Sequence, residues 1–251
     1  MSERQLLRKP LARSNGSRVK DGAMIVASIL VAFGLEASWG VLQERQVERT
    51  LRAELAAEFV DARERIEGNA EFLKRAGEAI QDILVLMGPD PELVPADSVV
   101  FLLMESARTY TLDMPSSVVE SVVTTDQLSI IQDPNLRRAL LRWPVLLDDV
   151  LENHEWIVDQ YRNQFVPTTA PWVSVRDIYA MDYSLGRVRE IAPFRSPGRS
   201  RFGVDVDALL ADRSLEQVLS FRLQFLYITV LETEALLSAA DEILSMLGAN
   251  P

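Results

Sequence analysis

The chain has 251 residues, of which 48% are hydrophobic and 25% charged, and its net charge is −11. This composition is that of a globular protein and excludes wholesale disorder. The acidic balance argues against nucleic acid as a partner, because phosphate binding needs a basic surface. The absence of cysteine excludes disulfides and thiolate chemistry, and the single histidine, His154, excludes a metal site with several histidine ligands.

The amino-terminal segment has the pattern of a membrane anchor. Residues 1–21 are basic, and residues 22–42 contain Glu36 as their only charge. At about 1.5 Å rise per residue, a helix of this length spans roughly 30 Å, the thickness of a hydrocarbon core. Glu36 lies close enough to the end of the segment to reach the interface, and Trp39 lies where interfacial aromatics are enriched. We therefore expect a transmembrane helix at 22–42 with Glu36 and Trp39 at the membrane interface.

The charge distribution predicts the orientation of this anchor. Basic residues before the segment meet the positive-inside rule, so residues 1–21 are expected on the cytoplasmic side of the membrane and residues 43–251 on the outer side. Two alternatives remain open: a cleaved signal peptide, although no A-x-A site follows, and the buried start of a soluble helix. Glu36 itself has a second interpretation, as a polar contact with another transmembrane helix.

A long amphipathic helix is predicted after the anchor. Apolar residues recur at steps of three and four along one stripe. Since no proline occurs between Asp21 and Pro89, one continuous helix from about 22 to 87 is expected, ended by the sequence GPDPELVP. The stripe contains Leu51, Leu55, Phe59, Ala62, Ile66, Ala70, Leu73, Ala76, Ile80, Leu84 and Met87.

Further helices are predicted along the rest of the chain. Asp97 is expected to cap a helix over 98–110, Asp133 to cap a long helix over 134–165 that Pro144 kinks or divides, and Ser214 with Gln217 to form the capping box of a last helix ending at Gly248. That last helix is not expected to span the membrane, because charged and polar residues break it. Residues 166–185 are expected to be extended or a mix of short pieces, and residues 186–203 to be a loop. The fold class predicted is therefore all-α, an extramembrane helical bundle whose three long members are 42–87, 134–165 and 214–247.

Two stretches resemble a known group of proteins. The first is LEASWGVLQERQVERTLRAELAAEF (35–59), and the second is LSIIQDPNLRRALLRW (128–143). Together they resemble a widespread group of uncharacterised bacterial single-pass membrane proteins with an N-terminal transmembrane helix and a helical extramembrane domain. The resemblance implies the anchored helical architecture and implies no activity.

An acidic face and the single histidine are predicted on the same helix. Asp148, Glu152, Glu155 and Asp159 are spaced by four, three and four residues and share one helix face. They are interpreted as a solvated face or one that meets arginines from elsewhere in the chain; the alternative is a site for Ca²⁺ or Mg²⁺. His154 is in register with apolar residues, which favours a hydrogen-bonded core or interface histidine over a catalytic base. We expect no cofactor.

An arginine-rich loop is the candidate contact with a partner or with lipid. Four interpretations remain: packing against the acidic bundle, contact with anionic lipid headgroups, binding to a protein, and simple solvation. The residues concerned are Arg187, Arg189, Phe194, Arg195, Arg199, Arg201 and Phe202.

The functional expectation is a non-enzymatic, membrane-anchored helical scaffold or accessory subunit of a membrane protein complex. Its expected partners are the lipid bilayer and a membrane protein or a second copy of the chain. The alternative is a periplasmic ligand-binding or sensory domain coupled to a separate membrane partner, which a pocket between the bundle helices would favour. No nucleotide-binding, zincin or serine-hydrolase motif occurs in the sequence, and an enzyme is the weakest of the three hypotheses.

Overall fold

The computed structural model describes residues 15–109, 112–184 and 198–249, and every regular element in these ranges is helical. This confirms the all-α fold class. In chain order the helices are α1 (Asn15–Leu86), α2 (Ala96–Ala107), α3 (Ser117–Thr124), a 3₁₀ turn (Asp126–Ser129), α4 (Pro134–Gln160), a π-helical turn (Tyr161–Phe165), α5 (Val166–Thr169), α6 (Val175–Ser184), α7 (Val206–Leu210) and α8 (Arg213–Leu247).

The chain divides into two compact units, Met1–Leu51 and Arg52–Pro251. The first contains the beginning of α1, where apolar side chains such as Val26, Phe33 and Leu35 are exposed by more than half of their surface. By length and composition α1 and α8 are both apolar enough to cross a membrane. None of the most apolar window of α1 is buried, whereas 28% of the corresponding window of α8 is buried.

The second unit is a bundle of long helices. The C-terminal part of α1 runs antiparallel to α8, because Arg63 pairs with Asp241 while Lys74, further along α1, pairs with Glu234. In contrast α1 and α4 run parallel, as the ring contact between Phe59 and Trp143 and the hydrogen bond between Asn69 and His154 show. The three long members predicted from the sequence are therefore present and packed together.

The core follows the predicted apolar stripe of α1. Nine of its members, from Leu51 to Ile80, are buried, whereas Leu84 and Met87 are only partly buried. Around the C-terminal end of α1, side chains of α2, α6, α7 and α8 complete one continuous apolar cluster that includes Leu103, Ile178 and Leu209. Burial of these side chains is the main favourable term for folding of the unit.

The caps of α4 and α8 test the local predictions. Asp133 accepts from the backbone N–H groups of Asn135 and Leu136, and Gly248 adopts the left-handed conformation after α8, both as predicted. The capping box of α8 was predicted wrongly: Asp212, not Ser214, accepts from the first free N–H groups. The helix begins at Arg213, two residues earlier than an N-cap at Ser214 would allow, because the carboxylate of Asp212 is available as the acceptor.

One further local prediction is wrong, and of the two alternatives given for Pro144 one is excluded. Asp97 does not cap α2, which begins at Ala96 after Pro95 and ends at Ala107; Asp97 lies in the first turn and pairs with Arg199. Pro144 does not divide α4, which runs through it from Pro134 to Gln160. The helix continues because its buried stripe, including Leu140, Trp143 and Leu147, packs on both sides of the proline.

Candidate functional site

The outward face of α4 is the surface that the acidic pattern predicted. Its side chains are exposed, and the helical spacing of three and four places them on one side of the helix. We call this set the α4 face. In chain order it consists of Arg138, Leu141, Arg142, Val145, Asp148, Asp149, Glu152, Glu155 and Asp159.

The α4 face changes sign along the helix. Arg138 and Arg142 lie in the N-terminal half, and all the acids lie in the C-terminal half. This order opposes the helix macrodipole, which favours acids near the N-terminus and bases near the C-terminus. Between the two halves, Leu141 and Val145 are 49% and 60% exposed. Because the order of charges opposes the macrodipole, the charge pattern does not stabilise α4 itself.

A groove runs along the acidic half of α4. It has a volume of about 730 Å³ and is open to solvent. Glu152, Glu155 and Asp159 of the predicted acidic face line it, and Asp148 does not. The other described side chains that line it are Leu112, Leu151, His154, Trp156, Val158 and Arg162. Carboxylates and half-buried apolar side chains thus share one concave surface, as in sites that bind amphipathic ligands.

Two aromatic residues of α8 hold one side of the groove in place. The indole of Trp156 stacks on Phe225 with ring centroids 3.5 Å apart and 16° between the planes, and Phe221 packs edge-on at 5.4 Å. Such contacts fix the orientation of a large side chain. Trp156 therefore forms a rigid edge of the groove rather than a mobile one.

His154 lies behind the groove with both ring nitrogens hydrogen-bonded. Only 4% of its surface is exposed. Its Nδ1–H donates to the carbonyl of Val150 at 2.8 Å, and its Nε2 accepts from the Asn69 amide at 3.0 Å. Burial lowers the pKa of His154, against the opposing effect of the Val150 hydrogen bond. The residue is a neutral core histidine that ties α4 to α1, which agrees with the interpretation made from its register.

The acids around the groove create a negative potential at the neighbouring helix α8. Glu232 of α8 lies beside this end of α4 and accepts a hydrogen bond from Asn153. Burial raises the pKa of Glu232, and the charges of Asp149 and Glu152 raise it further, while the Asn153 hydrogen bond acts in the opposite direction. The carboxylates are therefore near enough to repel one another.

The acidic face does not converge on a metal. Within the described ranges, no group of three or more histidine or carboxylate side chains is arranged to hold an ion. One helix face spreads its carboxylates along the axis, whereas Ca²⁺ needs six to eight oxygens around one point. The divalent-cation interpretation of Asp148, Glu152, Glu155 and Asp159 therefore finds no support in their geometry.

The arginine-rich loop is only partly within the described residues. Arg187, Arg189, Phe194 and Arg195 lie outside them. Arg199 donates to Asp97 of α2 at 2.6 Å. Arg201 is exposed, and Phe202 is 99% exposed.

The residues predicted at the membrane interface lie in the first unit. Glu36 is exposed, and Trp39 is 71% exposed. Both lie within α1, three residues apart, and so share one side of the helix.

The sequence did not reveal that Leu112, Trp156 and Arg162 line the groove. Trp156 and Arg162 lie on the predicted helix, but nothing in their spacing indicates a concavity. Leu112 comes from the connection between α2 and α3, and its position depends on how the two helices pack.

No protein-family model, curated protein or solved structure matches the chain.

Proposed function

We propose that the chain is a non-enzymatic helical scaffold or accessory subunit of a membrane protein complex, anchored by residues 22–42. The observation that supports the anchor is the apolar window of α1, none of which is buried by the protein. Exposed apolar side chains such as Val31, Phe33 and Leu35 follow one another there. In water such a surface is unfavourable, and in a bilayer it is the ordinary state of a spanning helix.

The bundle supplies the scaffold in this proposal. Residues 43–251 lie on the periplasmic side of a bacterial inner membrane, and residues 1–21 lie in the cytoplasm. Charge asymmetry around the span is the reason for this orientation. The resemblance of residues 35–59 and 128–143 to bacterial single-pass membrane proteins supports the same architecture.

Fractionation of cells that produce the full chain tests the anchor. We expect the chain in the membrane pellet after a carbonate wash, and released only by detergent. Recovery in the soluble fraction without detergent would contradict the anchor. A reporter fused after Pro251 tests the orientation. Alkaline phosphatase fused there should be active, and green fluorescent protein fused there should not fluoresce.

The groove on α4 supports a second candidate, a ligand-binding or sensory domain. Its volume of about 730 Å³ lies within the range of small-molecule sites. Native mass spectrometry of the chain purified from membranes separates the two candidates. A stoichiometric protein partner supports the scaffold, and a bound small molecule supports the sensor.

A further inference from the structure

The acids on the C-terminal half of α4 make no ion pair within the described residues, in contrast to several acids of α1 and α8. On α1, Asp61 pairs with Arg65 and Glu67 with Arg63, and on α8 Asp241 pairs with Arg63 and Glu234 with Lys74. Within the described part of the chain, no such ion pair involves Asp148, Asp149, Glu152 or Glu155. Asp159 accepts only from the neutral amide of Asn163, at 2.6 Å. Among the described residues these acids therefore lack a salt bridge, and Arg162 is the one basic side chain among the described residues that line the groove.

The spacing of the groove carboxylates matches the side-chain spacing of a second helix. Glu152, Glu155 and Asp159 are separated by three and four residues, so they form a row about two turns long on α4. A helix lying in the groove presents its own side chains at the same repeat. Basic residues at that repeat can meet the three carboxylates together.

The apolar side chains of the groove are suited to contact the apolar stripe of a bound amphipathic helix. Leu151 and Val158 are half-buried about two turns apart on α4, and Leu112, on the connection between α2 and α3, is buried. Trp156 is fixed by its stack on Phe225. An apolar stripe on a bound helix would cover these side chains, as in helix-in-groove recognition.

We propose that the α4 groove binds a basic amphipathic helix of a partner protein, with the apolar stripe of that helix on Leu151 and Val158 and its lysines or arginines opposite Glu152, Glu155 and Asp159. The inference rests on the proposed scaffold function and names the chemistry of the partner. Charge complementarity carries it, together with the shared apolar surface. Arg138 and Arg142 at one end of the α4 face, and Arg162 at the far end of the groove, repel a basic helix and so limit it to the acidic stretch between them.

A probe placed inside the groove tests the proposal. Because the chain has no cysteine, Arg162→Cys introduces a single site for an environment-sensitive dye at the groove wall. The probe ligand is a synthetic amphipathic helical peptide of leucine and lysine, added to the labelled full chain in an uncharged detergent. We expect saturable fluorescence change, weakened by salt. The same dye at Val85→Cys, on the 83% exposed side chain near the end of α1, is the control and should not respond.

Charge removal identifies the groove as the cause. The variant Glu152→Gln/Glu155→Gln/Asp159→Asn, carrying the dye, should bind the peptide at least about tenfold more weakly, since complementary charges at such an interface are lost. The matched control is Glu64→Gln/Glu71→Gln/Glu78→Gln, which removes three exposed acids from α1. Its affinity should stay within about twofold of the parent chain, because distant exposed charges are screened.

The outcomes decide the proposal in either direction. Binding that depends on the groove acids and not on the α1 acids supports it, and an otherwise identical leucine–glutamate peptide should not bind. Equal weakening in both triple variants means non-specific attraction to an acidic protein and overturns it, as does the absence of any response at the groove dye. If the chain is in the membrane fraction but the groove does not bind the peptide, only the inference about the partner is contradicted. If the chain is recovered in the soluble fraction without detergent, the proposed anchor is contradicted.

Discussion

The guanidinium of Arg222 donates through Nε to the backbone carbonyl of Ser106 at 2.9 Å, although both residues are fully buried. It also donates to the carbonyls of Arg108 and Ile157 and to the side-chain oxygen of Gln160. The acceptors are four neutral oxygens, and three of them come from the ends of α2 and α4. Helix C-terminal carbonyls carry negative partial charge, which favours a cation there. Burial lowers the pKa of Arg222 to about 10, which still leaves it charged near neutral pH.

Arg222 is therefore expected to be a large contributor to the stability of the bundle. Arg222→Met keeps the side-chain length but removes this donor from its acceptors, of which the Ile157 carbonyl still accepts from the Tyr161 N–H. We expect the free energy of unfolding to fall by at least about 3 kcal/mol, since each buried orphaned acceptor costs about 1–3 kcal/mol. Denaturant unfolding of the full chain in detergent, followed by circular dichroism, measures it. Arg213→Met, at an exposed position of the same helix, should change it by about 0.5 kcal/mol or less. Similar losses in both variants would show that the buried network is not the cause.

Glu58 of α1 caps a different helix from its own. Its carboxylate accepts from the backbone N–H groups of Val118 at 2.9 Å and Val119 at 3.0 Å, at the start of α3. Glu58→Gln should reduce stability by about 1 kcal/mol, since the charge that favours a helix N-terminus is lost and an amide offers only one acceptor oxygen. Amide hydrogen exchange over 117–124 should become faster, while Glu54→Gln, exposed one turn earlier, should leave it unchanged. Unaltered exchange in the Glu58 variant would refute the cap.

Features of the fold could be predicted from the sequence when the residues that form them lie close together in the chain. The stripe of α1 and the cap at Asp133 depend on residues a few positions apart, so their pattern is visible in the chain. The sequence shows the role of Arg222 only in part: Leu215, Leu219 and Leu226 place it in the buried register of α8, whereas its charge indicates only that α8 does not span a membrane. Its acceptors lie more than sixty positions earlier, and no local pattern reveals them.

The candidate site shows the same division. Helical spacing alone placed Glu152, Glu155 and Asp159 on one face. The groove beside them needs Leu112 and the packing of Trp156 on α8, which are long-range features. Glu58 was likewise missed, because an acid in a long amphipathic helix normally belongs to the solvated side. The one local indication of its burial was its place beside Phe59, at the edge of the apolar stripe. In the structure Glu58 is buried.

The buried histidine predicts how stability depends on pH. The pKa of His154 is lower in the folded chain than in the unfolded chain, because burial disfavours the imidazolium. Between the two pKa values the unfolded chain therefore binds more protons than the folded chain, and stability falls as pH drops below the unfolded value of about 6.5. His154→Gln keeps hydrogen-bonding capacity and cannot titrate there. We expect the melting temperature of the parent chain to fall more between pH 7.5 and 5 than that of His154→Gln, because only the parent chain takes up the extra proton on unfolding. Parallel pH profiles for the two chains would contradict this.

Two glycines of the bundle predict opposite effects of the same substitution. Gly248 follows α8 with φ 76°, where an alanine side chain is strained, so Gly248→Ala should destabilise by about 1 kcal/mol. Gly68 lies inside α1, and a Cβ added there would meet nothing within 4 Å. Gly68→Ala should therefore stabilise by roughly 0.5–1 kcal/mol, because alanine loses less backbone entropy in a helix. Thermal unfolding of both variants beside the parent chain gives the two signs. A stabilising Gly248→Ala would mean that α8 does not end in the left-handed turn, and a destabilising Gly68→Ala would mean that another molecule covers that side of α1.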